Sequence, residues 1–420
     1  MLAKRSAERC ASEPRTDIAL LVSALFFQRF SLPFQHTYLM LDVVPVAIIL
    51  VHQFLSGKLL VQFDRLAWFL AAAAAATFSL LLNFKSTMLT SYLLFLALYS
   101  LALLNRRSTP EQYKTTLRAF QSLVAVLSYL AVGQFAAQFV IDGRRLIMFY
   151  GMVPDILLGE FYAGGANTIH TIEGLGSLLK SNGIFLAEAS NLSQVTALGI
   201  LIEVMEFRRA RYLIIMAFGF LTAYSGVGMM VLLLFLPLAA LRDRRASLSV
   251  LFVIVAAIGV CAIGLIDLSV FFNRAGEFEN TRASGFARFV SPFWLLSIHF
   301  DTASLQAFLV GNGPGTSKTF YVSNWWAANP LGWFKWLYEY GIIGSFLFVL
   351  FCASCLRRSR CPALLLAALM FVEVLAAGFL TTWFLTLVIT LCTLQSAEPQ
   401  GTRVAAASRH PGPPTALLAR

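Results

Sequence analysis

The sequence predicts an all-α integral membrane protein of about twelve transmembrane helices, with two long loops on the outer side. Three observations carry that prediction. Of the 420 residues, 58% are hydrophobic and 13% are charged, and the mean hydropathy is +0.74, far above that of a soluble chain of this length. Apolar runs long enough to cross a bilayer recur along the chain, and a helix is the economical way through lipid, which offers no partner to backbone N–H and C=O groups. Lysine and arginine gather in alternate connections, as they do where cytoplasmic loops retain positive charge during insertion.

The chain opens on "MLAKRSAERCASEPRTD", in which Lys4, Arg5, Arg9 and Arg15 precede a full-length apolar run. Residues 1–16 therefore read as an uncleaved basic cytoplasmic lead and not as a signal peptide, which would end at a small-residue cleavage site. Spans follow near Ile18–Phe34, Tyr38–Leu55, Leu66–Phe84, Met88–Leu104, Ala119–Ile141 and Phe185–Phe207. The second half supplies Tyr212–Tyr224, Gly226–Leu241, Leu248–Phe272, Leu331–Cys355, Ala363–Gly378 and Leu380–Leu394. Residues 17–394 thus form one polytopic membrane domain. The basic clusters "NRR", "RRAR", "RDRR" and "RRSR" fall after the fourth, sixth, eighth and tenth spans, which puts both termini in the cytoplasm. The net charge of +11 is then an insertion signal, and nucleic acid is excluded as a partner because binding it needs a basic face on a soluble domain.

Most connections are short. The exceptions are residues 142–184 and 273–330, both outside, and long loops in compact proteins tend to carry function. Residues 395–420 are rich in Pro, Ala and Ser without an apolar face and read as a disordered cytoplasmic tail. The six cysteines, Cys10, Cys261, Cys352, Cys355, Cys361 and Cys392, all lie in spans or on the cytoplasmic side, so no disulfide framework is expected. "CASCLRRSRC" has no His or fourth Cys at zinc spacing, and no metal site is expected. The stretch "GNGPGTSK" looks like a phosphate loop but fails the spacing, because Thr316 and Ser317 separate Gly315 from Lys318, and no strand precedes it. Its glycines are expected to make a tight turn beside the membrane that permits close backbone approach.

"FLVGNGPGTSK" followed by "LGWFKWLYEYGIIG" resembles the signature of the O-antigen ligase and polymerase superfamily of bacterial surface-polysaccharide assembly. The G-x-G element is Gly311 and Gly313, with Gly315 beyond it; the E-x-G-[IL]-[IL]-G element is Glu339, Gly341, Ile342, Ile343 and Gly344, with Lys335 one turn before. Upstream, "KSNGIFLAEASNLS" is similar to the family's R-x-x-G-x-F-x-x-E-P-[SN] segment through Gly183, Phe185, Glu188 and Ser190. "LTAYSGVG" resembles its T-x-S-x-x-G re-entry through Ser225 and Gly228, with Thr222 one place early. The resemblance covers about Lys180 to Gly344. Lys180 stands where the family has Arg, Ala189 where it has Pro, and "WWAANPLGWFKW" lacks the His that ligases carry before the final motif.

That resemblance implies a metal-independent, cofactor-free glycosyltransferase in the bacterial inner membrane, acting at the periplasmic face on polyprenyl-diphosphate-linked saccharide. The missing His favours a polymerase over a ligase that attaches glycan to lipid A core or protein. Membrane lipid is a further implied partner, as are a chain-length regulator and export proteins. A transporter or flippase also suits about twelve spans, but no repeated halves are visible and charge concentrates in the outer loops.

Such a transfer needs cations to offset charge on the diphosphate leaving group and a base for the acceptor hydroxyl. Arginine suits the first, because its fork of donors matches phosphate oxygens. Diphosphate-binding candidates are Arg274, Arg282 and Arg288 in the second long loop, with Lys180 as the substituted cation of the first. Arg288 leads because it precedes an amphipathic stretch containing Trp294. The plainer reading of these arginines is pairing with Glu277 and Glu279, or interfacial anchoring. Catalytic candidates are His299 and Asp301 in "SIHFDTAS", and Glu188. His299 has an unperturbed pKa that suits a base. Glu188 sits at the outer end of a span, where a carboxylate needs either a polar cavity or an ion pair with one of the arginines. For Glu339 the plainer reading is a helix-face pair with Lys335 four residues earlier. Trp294, Trp325, Trp326, Trp333 and Trp336 crowd this loop and its exit and read as an interfacial aromatic belt or a platform for sugar or polyprenyl.

Overall fold

The computed structural model describes residues 14–34, 37–141, 172, 178–242, 276, 278–322, 331–375 and 381–396. It is predominantly helical, and among the described residues three helices are long and apolar enough to cross a membrane: Phe63–Leu82, Pro110–Ala137 and Gly332–Leu356. Shorter apolar helices run over Val43–Leu55, Leu89–Leu103, Ala210–Ala223, Gly226–Arg242, Ala363–Val374 and Thr382–Thr393. Residues 1–13 of the lead, residues 397–420 of the tail and the expected span at Leu248–Phe272 lie outside the described residues, as does most of the first long loop. The first helix already takes in residues 14–16 of the lead. Gln395 and Ser396, expected in a disordered tail, are instead a buried strand, because they pair with Arg106 and Arg107.

Several helices are shorter than the apolar runs that contain them. The run Ile18–Phe34 does not stay helical: the helix covers Pro14–Phe26, and Ser31–Phe34 pairs antiparallel with Thr37–Met40. A turn closed by Phe30 N donating to Phe27 O follows the helix directly, and Pro33 keeps Leu32 extended in the strand beyond it. The next helix begins only at Val43, and the one expected from Phe185 begins at Ala189, after a buried non-helical segment. It ends in a π-turn over Glu203–Phe207 and a left-handed Arg208, φ 58°. Helix Pro110–Ala137 starts from a capping box: Thr109 Oγ1 accepts from Gln112 N at 3.2 Å, and Gln112 Oε1 accepts from Thr109 N at 2.8 Å, with Pro110 supplying a pre-set φ.

Two apolar clusters hold the helices together. One joins Leu21, Phe120, Leu198, Met216, Val231 and Leu369 from six helices. The other gathers Leu50, Phe69, Phe95, Trp336, Tyr340 and Phe351, with Trp336 stacked on Phe348 at 3.8 Å between ring centroids. Trp336 is therefore a core residue, contrary to its expected place in an aromatic belt.

Connections gather at two ends. At one end Leu60–Val61, Leu104–Arg107 and Gln395–Ser396 form a small sheet, antiparallel then parallel, and Ser359 bridges to Ser396. Arg65, fully buried there, donates from Nη1 to the carbonyls of Ala102, Leu104 and Thr393, which close the C-terminal ends of two helices. Buried Asp17 pairs with Arg106 and accepts from Thr116 Oγ1 at 2.5 Å and Gln395 Nε2 at 2.9 Å. Helix Phe63–Leu82 starts at this end and leads away from it; helix Gly332–Leu356 runs into it. The opposite end holds the segments that resemble the family motifs.

Candidate functional site

The opposite end is assembled from two joints. The first is the segment 178–188. Gly183 and Ile184 both take left-handed backbone, φ 68° and 69°, which for a β-branched residue is strained and has to be held from outside. The holding groups come from the end of helix Pro110–Ala137 and from the turn after Phe26. Gln134 Oε1 accepts from the backbone N–H of Asn182 and Gly183 at 3.1 and 3.2 Å, and its Nε2 donates to Asn182 Oδ1 at 3.0 Å. Gln138 exchanges two hydrogen bonds with the Leu179 backbone at 2.8 and 3.0 Å. Arg29 Nη1 donates to the Ile184 carbonyl at 2.5 Å, while Gln28 Oε1 accepts from Ala187 N at 3.3 Å and Asn191 Nδ2 at 2.8 Å. Glu188 follows as the residue before helix Ala189–Ile202, and its Oε2 accepts from Ser190 Oγ at 2.7 Å.

The re-entry segment braces this joint from behind. Ser181 N donates to the Thr222 carbonyl at 3.0 Å, and Gly228 N donates to Ser193 Oγ at 3.3 Å. Any side chain at Gly228 would overlap the Ser193 backbone, so glycine there lets two helices touch.

The second joint is the glycine-rich loop. Gly311, Gly313 and Gly315 have φ of 86°, 96° and 80°, and Gly341 has φ 66° inside helix Gly332–Leu356, which kinks there. The loop reads backbone groups exposed by the kink: Asn312 N donates to Tyr338 O and Gly313 N to Glu339 O, both at 2.9 Å. Ser79 Oγ reaches the Glu339 carbonyl at 2.8 Å, and Asn83 Nδ2 reaches the Gly311 carbonyl at 3.1 Å. A Cβ on Gly311 would overlap the Glu339 carbonyl, and one on Gly341 would overlap Leu309. The two glycine motifs are thus halves of one close contact. Gly344 continues the motif as a buried position facing Ala75. The Glu339 side chain is fully buried, with Oε1 accepting from Ser317 Oγ at 2.6 Å and Lys335 Nζ 3.8 Å away.

The second long loop meets the start of helix Ala189–Ile202 in an ion pair: Arg288 Nη2, in the short helix Ser284–Phe289, lies 3.7 Å from Oε2 of Glu188, the residue that precedes the helix. Both side chains are partly exposed, 18% for Arg288 and 31% for Glu188. Helix Ser291–Thr302 begins just beyond Arg288 and packs on the start of Gly332–Leu356, with Phe293 on Trp333 at 5.7 Å and His299 on Tyr338 at 5.0 Å. Helix Ser291–Thr302 thus links the segment that bears Arg288 to the helix that bears Lys335 and Glu339. Compared with known protein families, curated proteins and solved structures, the chain matches none of them.

The remaining candidates divide. His299 is buried, faces the protein and is pushed below its ordinary pKa by desolvation, so it is neutral near pH 7. Asp301, two residues on, is exposed on another face, and the structure does not bring these two side chains together. Arg282 is exposed in a turn where its N–H donates to Asn280 Oδ1 at 3.1 Å. Lys180 is half-buried in the first joint. Arg274, Glu277, Trp325 and Trp326 lie outside the described residues. Among the described residues no group of His, Cys, Asp and Glu could hold a metal. Sequence reasoning missed Gln28, Arg29, Gln134 and Gln138. The available signal was polarity: each is a hydrogen-bonding side chain in an apolar run, where an unmatched polar group is costly.

Proposed function

We propose that this protein is a polysaccharide polymerase of the bacterial inner membrane that extends lipid-linked glycan at the periplasmic face. The observation that carries the reading is the Arg288–Glu188 pair, a partly exposed cation from the second long loop and a carboxylate from the start of helix Ala189–Ile202. In the transfer, the acceptor hydroxyl oxygen attacks the anomeric carbon of the donor sugar, the bond from that carbon to the diphosphate oxygen breaks, and polyprenyl diphosphate departs. Arg288 offsets the charge that develops on the diphosphate. Taking up the diphosphate releases Glu188 from Arg288, and the freed carboxylate accepts the acceptor's proton. Arg282, Arg274 and Lys180 supply further positive charge around the lipid-linked substrate.

An arrangement of about twelve spans with both ends cytoplasmic goes with this reading. Three helices of spanning length and the shorter apolar helices support it. So does the gathering of Leu60–Val61, Leu104–Arg107, Ser359 and Gln395–Ser396 at one end, since positive charge marks those same connections as cytoplasmic. The partners are polyprenyl-diphosphate saccharide and membrane lipid, with chain-length and export proteins downstream, and no cofactor.

The test is glycan chain length, read by gel in a deletion strain of the source organism complemented with wild type or Arg288→Ala at matched membrane levels. Polymerisation requires single-repeat glycan in the deletion and no rescue of long chains by Arg288→Ala. Long but unattached polymer in the deletion would move the assignment to ligation, and lipid-linked units stranded on the cytoplasmic side would move it to transport.

A further inference from the structure

Helix Ser291–Thr302 presents three distinct faces. Ser291, Leu295 and His299, spaced by four, are buried against the protein. Phe293 and Phe300, seven apart and therefore on one stripe, are 59% and 48% exposed, with Leu296 between them. Ser297 and Asp301 form an exposed polar border beside that stripe. An exposed aromatic stripe bounded by a polar one is a poor surface to leave in water and a good one at a lipid boundary.

The apolar stripe is continuous with neighbouring apolar surface at both ends. Phe293 meets Trp333 in the first turn of the spanning-length helix Gly332–Leu356, whose Ile342, Ile343, Phe346 and Val349 are exposed as lipid-facing residues would be. At the other end Phe300 packs on Phe308 at 5.6 Å, in the short helix Leu305–Val310, where Leu305 is 74% exposed. Trp294, 44% exposed and touching Phe286 at 5.0 Å, has the half-wet position that tryptophan takes at headgroup depth.

We infer that the segment Ser291–Val310 lies flat in the outer lipid–water boundary, with Phe293, Phe300 and Leu305 among acyl chains and Ser297 and Asp301 in water. The occupant of this face is the bilayer itself. Arg288, just before the segment, is thereby held at the depth of lipid phosphates.

The test is site-directed spin labelling of the full chain in vesicles of phosphatidylethanolamine and phosphatidylglycerol. Single cysteines replace Phe293, Phe300, Leu305, Ser297 and Asp301 in turn, with the signal of the unsubstituted chain subtracted. Oxygen, which concentrates in lipid, should relax labels at Phe293, Phe300 and Leu305 more than a water-soluble nickel chelate does, and the order should reverse at Ser297 and Asp301. Nickel dominating at all five positions would put the face in water and overturn the inference. Labels at the three apolar positions reached by neither reagent would show the face covered by protein and would also overturn it. Leu305 begins a short exposed helix, so its label remains readable if Phe293→Cys or Phe300→Cys fails to fold. No glycan enters the measurement, so its outcome stands apart from whether the protein polymerises saccharide.

Discussion

Arg288 and Glu188, about a hundred residues apart in sequence, approach to 3.7 Å, and neither is buried enough for the contact to be explained by packing. A partly exposed pair of this kind contributes at most about 1 kcal/mol to stability. Its position joining the second long loop to the start of helix Ala189–Ile202 is what gives it interest. If the pair were only a brace, exchanging the charges as Arg288→Glu with Glu188→Arg would restore what either single change removes. If Arg288 meets a diphosphate, the exchange places the cation on the wrong side of the pair. We expect Arg288→Ala to cut long-chain glycan by about tenfold or more, equivalent to about 1.4 kcal/mol of transition-state stabilisation, and the exchanged variant to stay as low while its melting temperature returns to wild type. Recovery of long chains in the exchange would reduce the pair to a structural link.

The contact between Gly311 and Gly341 makes a sharper structural prediction. Both have positive φ, and at both a Cβ would meet backbone, which cannot rotate away. Gly311→Ala and Gly341→Ala should each cost more than about 3 kcal/mol and lower the amount of folded protein recovered in detergent. Gly57 supplies the comparison, because its φ is also positive, 69°, but open space surrounds it. Gly57→Ala should cost only about 1 kcal/mol. Equal effects at the three positions, read as shifts in melting temperature, would mean that conformation and not close approach governs the loop.

How far these features were legible in the sequence differs residue by residue. The glycines announced a turn with close backbone approach, because no other residue type serves that purpose, but nothing in the spacing said that Gly311 would meet the chain at Glu339. Helix existence followed hydropathy, yet the helix limits did not. The first helix ends at Phe26 in a turn, well inside its apolar run, and the segment before Ala189 is buried without being helical because Gln134, Gln138, Gln28 and Arg29 satisfy its backbone. Hydropathy is blind to that, since it counts burial and not hydrogen-bonding partners. Ile184 is the extreme case: propensity argues against left-handed isoleucine, and only tertiary contacts impose it. The placement of Trp336 failed for a related reason, because composition cannot tell an interfacial indole from one stacked in a core.

At the end bearing the small sheet, the buried Asp17–Arg106 pair should behave differently from Arg288–Glu188. Asp17 and Arg106 are 1% and 5% exposed, so removing one partner strands the other in a poorly solvating place. Arg106→Met should cost about 3–5 kcal/mol. Adding Asp17→Leu should recover much of that loss, although Thr116 and Gln395 then lose their acceptor. A double-mutant cycle on thermal unfolding in detergent checks this. Additive losses with no recovery would show that Asp17 matters through Thr116 and Gln395 instead.

His299 gives a prediction in pH, with a definite sign. Its imidazole is buried against Tyr338, and desolvation lowers its pKa below the ordinary 6.5. Between the folded and unfolded values the unfolded chain binds more protons, so stability rises with pH there. The contribution of neutral His299 is therefore full above about 6.5 and is lost as pH falls below that value toward the folded pKa. His299→Gln cannot titrate and should remove this slope. Melting temperature of wild type minus that of His299→Gln should accordingly be flat above pH about 7 and shrink as the pH is lowered toward 5. A difference that grows on acidification would mean that a carboxylate raises the imidazole pKa, which is the sign expected if His299 turned toward Asp301 and acted with it as an acid–base pair.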